Sequence, residues 1–205
     1  MKLSGGAGLR VHLRMTGILR TIPDARLHTA GVRVLFALKG GGALVFEDRR
    51  ILGTVHFHSQ AELDQKLSKL GVEPLTRAFT AKILIDKAAR SSRPIKIFLM
   101  DQGVLAGLGN IYAAEALFAA GIHPARAANK VPQEKLKALH AAIPKVLRKA
   151  IKEAGKSYTR PDRHEGMRFQ VYGRKGEPCY VCGEPIKTMT QGGRTTYFCP
   201  HCQRK

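Results

Sequence analysis

All four cysteines of the chain, Cys179, Cys182, Cys199 and Cys202, fall in its last 27 residues. They stand as Cys-x-x-Cys, sixteen residues, then Cys-x-x-Cys. Each pair can present two thiolates to one tetrahedral ion, so the spacing predicts a zinc ribbon. The stretch between the pairs reads as a hairpin. Residues 186–190 and 194–198 form its arms, and Gln191-Gly192-Gly193 turns between them on a permissive backbone. Four sulfurs fill the coordination of one zinc and leave no position for water, which makes the ion structural. The competing use of four cysteines is two disulfides in a secreted protein. Residues 1–6 have no apolar run of the kind a signal peptide needs, which argues against it.

Upstream the hydrophobic period changes once. Residues 9–58 read as strands. Leu9, Val11 and Leu13 alternate with Arg10, His12 and Arg14, and apolar runs follow at 32–38 and 43–46 around the turn Lys39-Gly40-Gly41-Gly42. From there the pattern is helical. Ser59 caps a short helix over 61–67, Thr80 caps a second reaching Arg90, and a third starts near Pro94 and ends near Gln102. Gly103, Gly107 and Gly109 interrupt the pattern. An alanine-rich helix then covers 110–120, ended by Gly121 and Pro124. Pro132 opens a long helix towards Gly155, with a kink expected at Pro144. Strands, then helices, then a metal hairpin predict an α+β fold of separate lobes. The division read from the sequence is a strand lobe over 1–60, a helical domain over 61–155, a loop or linker over 156–170, and a zinc finger over 171–205.

The chain carries 35 Lys+Arg against 15 Asp+Glu, a formal net charge of +20. Ordinary solvation needs a net charge of only ~2–8. The excess is spread along the chain rather than gathered in a tail, so a polyanionic partner is expected. Nucleic acid comes first, with ribosomal RNA as a variant of it, and an anionic membrane surface second. No stretch approaches the ~20 apolar residues of a membrane-spanning helix.

After the cysteines, the segment Asp101-Gln102-Gly103-Val104-Leu105-Ala106-Gly107-Leu108-Gly109-Asn110-Ile111-Tyr112-Ala113-Ala114-Glu115 says most about chemistry. Gly107 and Gly109 let backbone approach a ligand closely, and the helix N-terminus that follows offers free N–H groups to a phosphate. Asn110 can use its side chain for the cap or for the phosphate, and Lys96 can supply counter-charge. No Gly-Lys-Ser/Thr follows, so this is not a mononucleotide P-loop.

Residues 105–115 of this segment resemble the helix–two-turn–helix of the formamidopyrimidine-DNA glycosylase and endonuclease VIII family. Val171-Tyr172-Gly173-Arg174-Lys175-Gly176-Glu177-Pro178-Cys179, with the ribbon through Gln203, resembles that family's zinc finger. His12-Leu13-Arg14-Met15-Thr16-Gly17 and Asp48-Arg49-Arg50-Ile51-Leu52-Gly53 resemble two further family motifs. The four stand in the family's order, cover most of the chain, and lie closer to the formamidopyrimidine branch.

The resemblance implies a partial N-terminal β-sandwich lobe, a helical lobe and a four-cysteine zinc-ribbon hairpin. It implies base-excision repair of oxidised bases: damaged-DNA binding, base flipping, N-glycosylase action and an AP lyase that cuts by β- and δ-elimination. Extrusion of a nucleotide needs apolar side chains to replace its stacking. Met15 matches the wedge that fills the gap, Arg50 the arginine that reaches the orphaned base, and Leu52 stands where the family has an aromatic wedge. Lys96 and Asn110 match phosphate-binding positions. Arg194 matches the arginine that grips phosphate and assists the second elimination. Tyr172 lies near backbone-contacting positions, and His28, Arg90 and Arg93 fall where the family has further DNA contacts. The implied partner is double-stranded DNA with oxidised bases or abasic sites, without a membrane or an obligate protein partner. The implied cofactor is one structural zinc, and the compartment is the cytoplasm.

Two departures qualify this. The family's nucleophile is the amine of an N-terminal proline, followed by a glutamate that serves as acid and base. This sequence begins Met1-Lys2-Leu3-Ser4 and enters the family's pattern partway through the sandwich, as an N-terminally truncated member would. Residues 156–170 take the place of the base-covering loop and depart from its usual pattern. Three readings follow: part of a glycosylase/AP lyase, a damaged-DNA-binding protein without catalysis, or a zinc-ribbon protein of the ribosome or transcription machinery.

Overall fold

A computed structural model describes residues 1–3, 5–26, 30–154 and 168–205, which form two compact units meeting in sequence at Ser68 and Lys69. His28 and most of the 156–170 loop lie outside the described residues. The fold is α+β. No helix among the described residues is long and apolar enough to cross a membrane.

The first unit holds β1 (Gly8–His12), β2 (Gly17–Ile22), β3 (Val32–Ala37), β4 (Ala43–Asp48), β5 (Thr54–His58) and α1 (Gln60–Leu67). β1 pairs with β5 in one antiparallel sheet, and β2, β4 and β3 form another in that order. β4 is central, and its Ala43 and Val45 form a small core with Ile22. The β3–β4 hairpin turns through Gly40, Gly41 and Gly42, all at positive φ. A side chain at Gly42 would place its Cβ 2.6 Å from the Ile22 carbonyl oxygen. α1 opens on a complete capping box between Ser59 and Glu62. Its one buried residue, Leu63, lies over Gly8, where a Cβ would stand 2.7 Å from Leu63 Cδ2.

The second unit holds α2 (Ala81–Ala89), α3 (Ile95–Met100), α4 (Asn110–Ala119), α5 (Gln133–Ala154) and the antiparallel hairpin β6 (Lys187–Gln191) and β7 (Arg194–Phe198). Thr80 caps α2 through its side chain, and Pro94 precedes α3. α5 is amphipathic and runs on through Pro144. α4 owes its alanines to burial, since every residue from Ala113 to Phe118 is buried. Ala113, Ala116 and Leu117 join Phe98, Leu99, Leu139 and Ile143 in the main helical core. Ala114 and Phe118 instead pack with Val171, Cys179, Ile186 and Cys199 in a second core beneath the hairpin.

The sequence leaves the Asn110 side chain to the cap or to a phosphate, and the structure removes the first of these. Gly109 takes the cap position of α4 with extended backbone and no side-chain bond, so the Asn110 side chain serves elsewhere.

Candidate nucleic-acid interface and metal centre

Two tight turns bring the cysteines together. The Sγ atoms of Cys179, Cys182, Cys199 and Cys202 all lie within 4.8 Å of one another. Cys179 and Cys202 are 3.9 Å apart, and Cys182 and Cys199 are 3.5 Å apart. A tetrahedral ion with Zn–S bonds of ~2.3 Å requires sulfurs about 3.8 Å apart, and these two distances bracket that value. Burial raises the Cys179 thiol, but the backbone N–H groups of Val181 and Cys182 and the neighbouring Cys199 and Cys182 thiols together outweigh this and bring it to about 7. Burial pushes Cys199 and Cys202 up. Four thiolates this close need a cation among them. With four sulfur ligands the ion has no open position, and its role is structural. Gln203 supports the site from behind. Its side chain accepts from Cys199 N at 2.9 Å and donates to the Ile122 carbonyl at 2.9 Å.

The hairpin carries polar groups onto α3 and α4. Lys96, on α3, is wholly buried rather than standing as a surface counter-charge. Its ammonium donates to Thr196 Oγ1 at 2.7 Å and to Asn110 Oδ1. Asn110 Nδ2 donates to the Thr195 carbonyl at 3.1 Å, and the Thr196 hydroxyl donates to Gln191 Oε1 at 3.0 Å. All these partners are neutral. Burial, followed by the nearby charge of Arg194, lowers the Lys96 amine to about 8. Arg194 itself is exposed and makes no ion pair among the described residues. Among the described residues, positive charge stands here with no carboxylate paired to it, an arrangement that favours an anionic ligand.

Glu115 holds the segment that leads into the zinc finger. Its buried carboxylate accepts the backbone N–H groups of Gln170 (2.8 Å), Val171 (3.0 Å) and Tyr172 (2.9 Å). Tyr172 then stands edge-on between Phe169 and Tyr197, at centroid distances of 5.7 and 5.0 Å. Arg174 clamps the same segment to the knuckle through the carbonyls of Gln170 (2.6 Å) and Pro178 (2.7 Å). Arg93 is engaged internally, in an ion pair with Asp101 at 2.9 Å.

In the first unit, Met15 and Leu52 sit on two separate turns and are 71% and 47% exposed. Their neighbours Arg14 and Ile51 have φ of 52° and 54°, a left-handed backbone that is costly for such residues. One buried carboxylate, Asp48, ties both turns. It accepts the Thr16 hydroxyl from the first, and from the second the backbone N–H groups of Arg50, Leu52 and Gly53 at 3.2, 2.8 and 2.6 Å. Arg50 projects as an exposed side chain. Sequence reasoning assigned no role to Asp48, Glu115, Thr196 or Arg174. The only signal for Glu115 was a carboxylate on the buried face of an alanine-rich helix.

Residues 70–162 match the formamidopyrimidine-DNA glycosylase H2TH domain, and residues 176–204 match the zinc finger found in FPG and IleRS. The formamidopyrimidine-DNA glycosylase of Halalkalibacterium halodurans is 43% identical over 201 residues, covering 94% of this chain and 73% of that protein. The enzyme of the same name from Xanthomonas oryzae pv. oryzae is 41% identical, over 98% of this chain and 76% of its own length. The crystal structure of the Lactococcus lactis glycosylase, non-covalently bound to DNA containing an AP site, superposes with a TM-score of 0.85 at 35% identity. That match covers 97% of this chain and 75% of the other. The MutM (Fpg) protein of Thermus thermophilus gives a TM-score of 0.82 at 37% identity, over 98% and 77%. Sequence, fold and zinc centre agree, and the chain belongs to the formamidopyrimidine-DNA glycosylase family.

Proposed function

We propose that this chain supplies the damaged-DNA-binding, base-flipping and phosphate-gripping machinery of base-excision repair on double-stranded DNA, acting in the cytoplasm. The lesions are oxidised bases and abasic sites. Lactococcus lactis relatives have been crystallised with DNA containing an abasic site and with DNA containing FAPY-dG. The observation that carries the reading is the charge of Lys96 on α3 and of Arg194 on the zinc hairpin, unpaired with any carboxylate among the described residues and next to Asn110.

Each residue has a physical task in this reading. Arg194 and Asn110 grip the backbone phosphate at the lesion, with Lys96 behind them raising the local potential. Arg194 also stabilises the phosphate expelled in the second elimination. Met15 and Leu52 take the volume of the extruded base, and Arg50 reaches its partner. Tyr172 and His28 add contacts to the backbone. The structural zinc holds the hairpin that carries Arg194.

The residues named bind and flip. In the family, base release and strand cutting fall to a proline amine and a glutamate, which are not among the residues named. Damaged-DNA binding without cleavage is the second reading. Borohydride trapping on a duplex with one abasic site tests both, with binding followed on the same samples. Preference for the abasic duplex over an undamaged one supports the proposal, and equal affinity for the two overturns it. A covalent adduct assigns lyase chemistry to an amine of this chain. Tight binding without an adduct selects the second reading.

A further inference from the structure

The second unit contains a cavity of about 740 Å3 between the start of α5 and the zinc knuckles. That is within the ~300–1,000 Å3 usual for ligand sites. Its floor is aliphatic, with Ile122 and Val131 both buried. Val181 forms one wall and is 71% exposed, although it stands between two zinc ligands where its position is fixed. The rim carries Arg126, Lys135 and Arg204 against one carboxylate, Glu134. None of the three cations is in an ion pair among the described residues. Lys135 rests on the Ala120 carbonyl at 3.4 Å, and Arg204 rests on the His201 ring at 3.1 Å.

An apolar floor inside a cationic rim fits a ligand of the opposite arrangement. Nucleic acid suits it less well, because the aliphatic floor offers a base no aromatic face to stack on, and the His201 imidazole in the lining is engaged by Arg204. We infer that this groove docks an acidic peptide segment of another protein. One apolar side chain of that segment seats on Ile122 and Val131 beside Val181, and its carboxylates meet Arg126, Lys135 and Arg204. The zinc ligands Cys182 and Cys202 line the groove, so its wall is preformed and little ordering is needed on binding. The set shares no residue with Lys96, Asn110 and Arg194.

The test uses the zinc-loaded full chain and a short fluorescein-labelled peptide of Asp and Glu around a single Phe, followed by polarisation. Saturable binding is expected. It weakens at least about tenfold when salt rises from about 0.05 to 0.5 M, and by a similar factor in Arg126→Glu and in Lys135→Glu. Val181→Asp, or a peptide with Ser for Phe, abolishes it. Zinc content and affinity for an abasic duplex stay unchanged in all three variants, and any variant that loses zinc yields to the other two. Absence of saturable binding overturns the proposal, as does binding indifferent to all three substitutions. Weakened binding of a single-stranded oligonucleotide in the same variants would make the groove a nucleic-acid surface and also overturn it.

Discussion

Gly53 donates its backbone N–H to Asp48 Oδ2 across 2.6 Å, at a position where a Cβ would stand only 2.5 Å from Phe46 Cζ. The glycine lets the turn close on the carboxylate, and the carboxylate fixes the turn.

Asp48 is held below the usual carboxylate range, first by the Thr16 hydroxyl and then by the Gly53 N–H. Burial opposes this, and the Leu52 and Arg50 N–H groups add to it. A depressed folded-state value contributes stability above the unfolded value of ~3.9, and the contribution is lost as pH falls through the folded value. Asp48→Asn lowers the melting temperature of the first unit at neutral pH and flattens its acid limb. An acid limb as steep as in the parent chain would show that the carboxylate is not its source.

His58 gives a slope at higher pH. Burial lowers its imidazole, the charges of Lys66 and Arg10 lower it further, Glu62 opposes them, and neighbouring His56 adds a little more lowering. Its buried Nε2 has no hydrogen-bond partner among the described residues. A base depressed on folding leaves stability intact above the unfolded value of ~6.5 and drains it as pH falls below. Thermal melts of the first unit therefore drop as pH falls below the unfolded value, and His58→Leu removes the drop. Parallel curves for the two proteins would refute this.

Lys96 gives the reverse comparison. With a folded value of about 8, its amine is charged and costly at neutral pH. It becomes a neutral, hydrogen-bonded donor above that. Between about 8 and 10.4 the unfolded chain keeps the proton that the folded chain has lost, so the parent gains stability as pH rises. Lys96→Met melts no lower than the parent at pH 7, melts lower at pH 10, and binds an abasic duplex more weakly at both. A constant difference in melting temperature would place the lysine in solvent.

Glu115→Gln removes the charge that accepts three N–H groups. Hydrogen bonds to a charged group are worth ~1.5–3 kcal/mol each, and the replacement amide can serve only part of the set, so a loss of about 3 kcal/mol is expected. Amide exchange at Gln170, Val171 and Tyr172 accelerates, while the α5 amides change little. Unaltered protection at those three positions would mean that the segment is held by something else.

Cys199→Ser releases the zinc and disorders the hairpin, because metal binding and folding are linked. Chelation of the parent chain does the same. Metal analysis should read one zinc per chain before and none after, and retained zinc in the variant would contradict the assigned ligand set.

The features legible in the sequence were those encoded within a few residues. Ser59 with Glu62, Thr80 before its helix, and the Cys-x-x-Cys turns all carry their partners beside them. β2 was harder to single out, because Arg20 and Thr21 interrupt its apolar run and its pairing with β4 lies more than twenty residues away. The Lys96 environment was out of reach for the same reason. Its hydroxyl partner, Thr196, is a hundred residues further on, so burial and partner both come from tertiary structure. Asn110 stayed open between cap and phosphate because an asparagine at a helix start often caps it. Here Gly109 fills that position, and the side chain is drawn away by the hairpin. Asp48 gave no sign because three of its four donors are backbone groups, which have no letter in the sequence.

α4 belongs to two cores at once, turning Leu117 towards the helices and Phe118 towards the metal hairpin. A ligand that binds only the folded form stabilises everything folded with it. The thermodynamic cycle therefore runs in both directions: trimming Leu117, which belongs to the helical core rather than the one beneath the hairpin, should loosen the grip on zinc, and a chelator should act on the helical lobe as a denaturant.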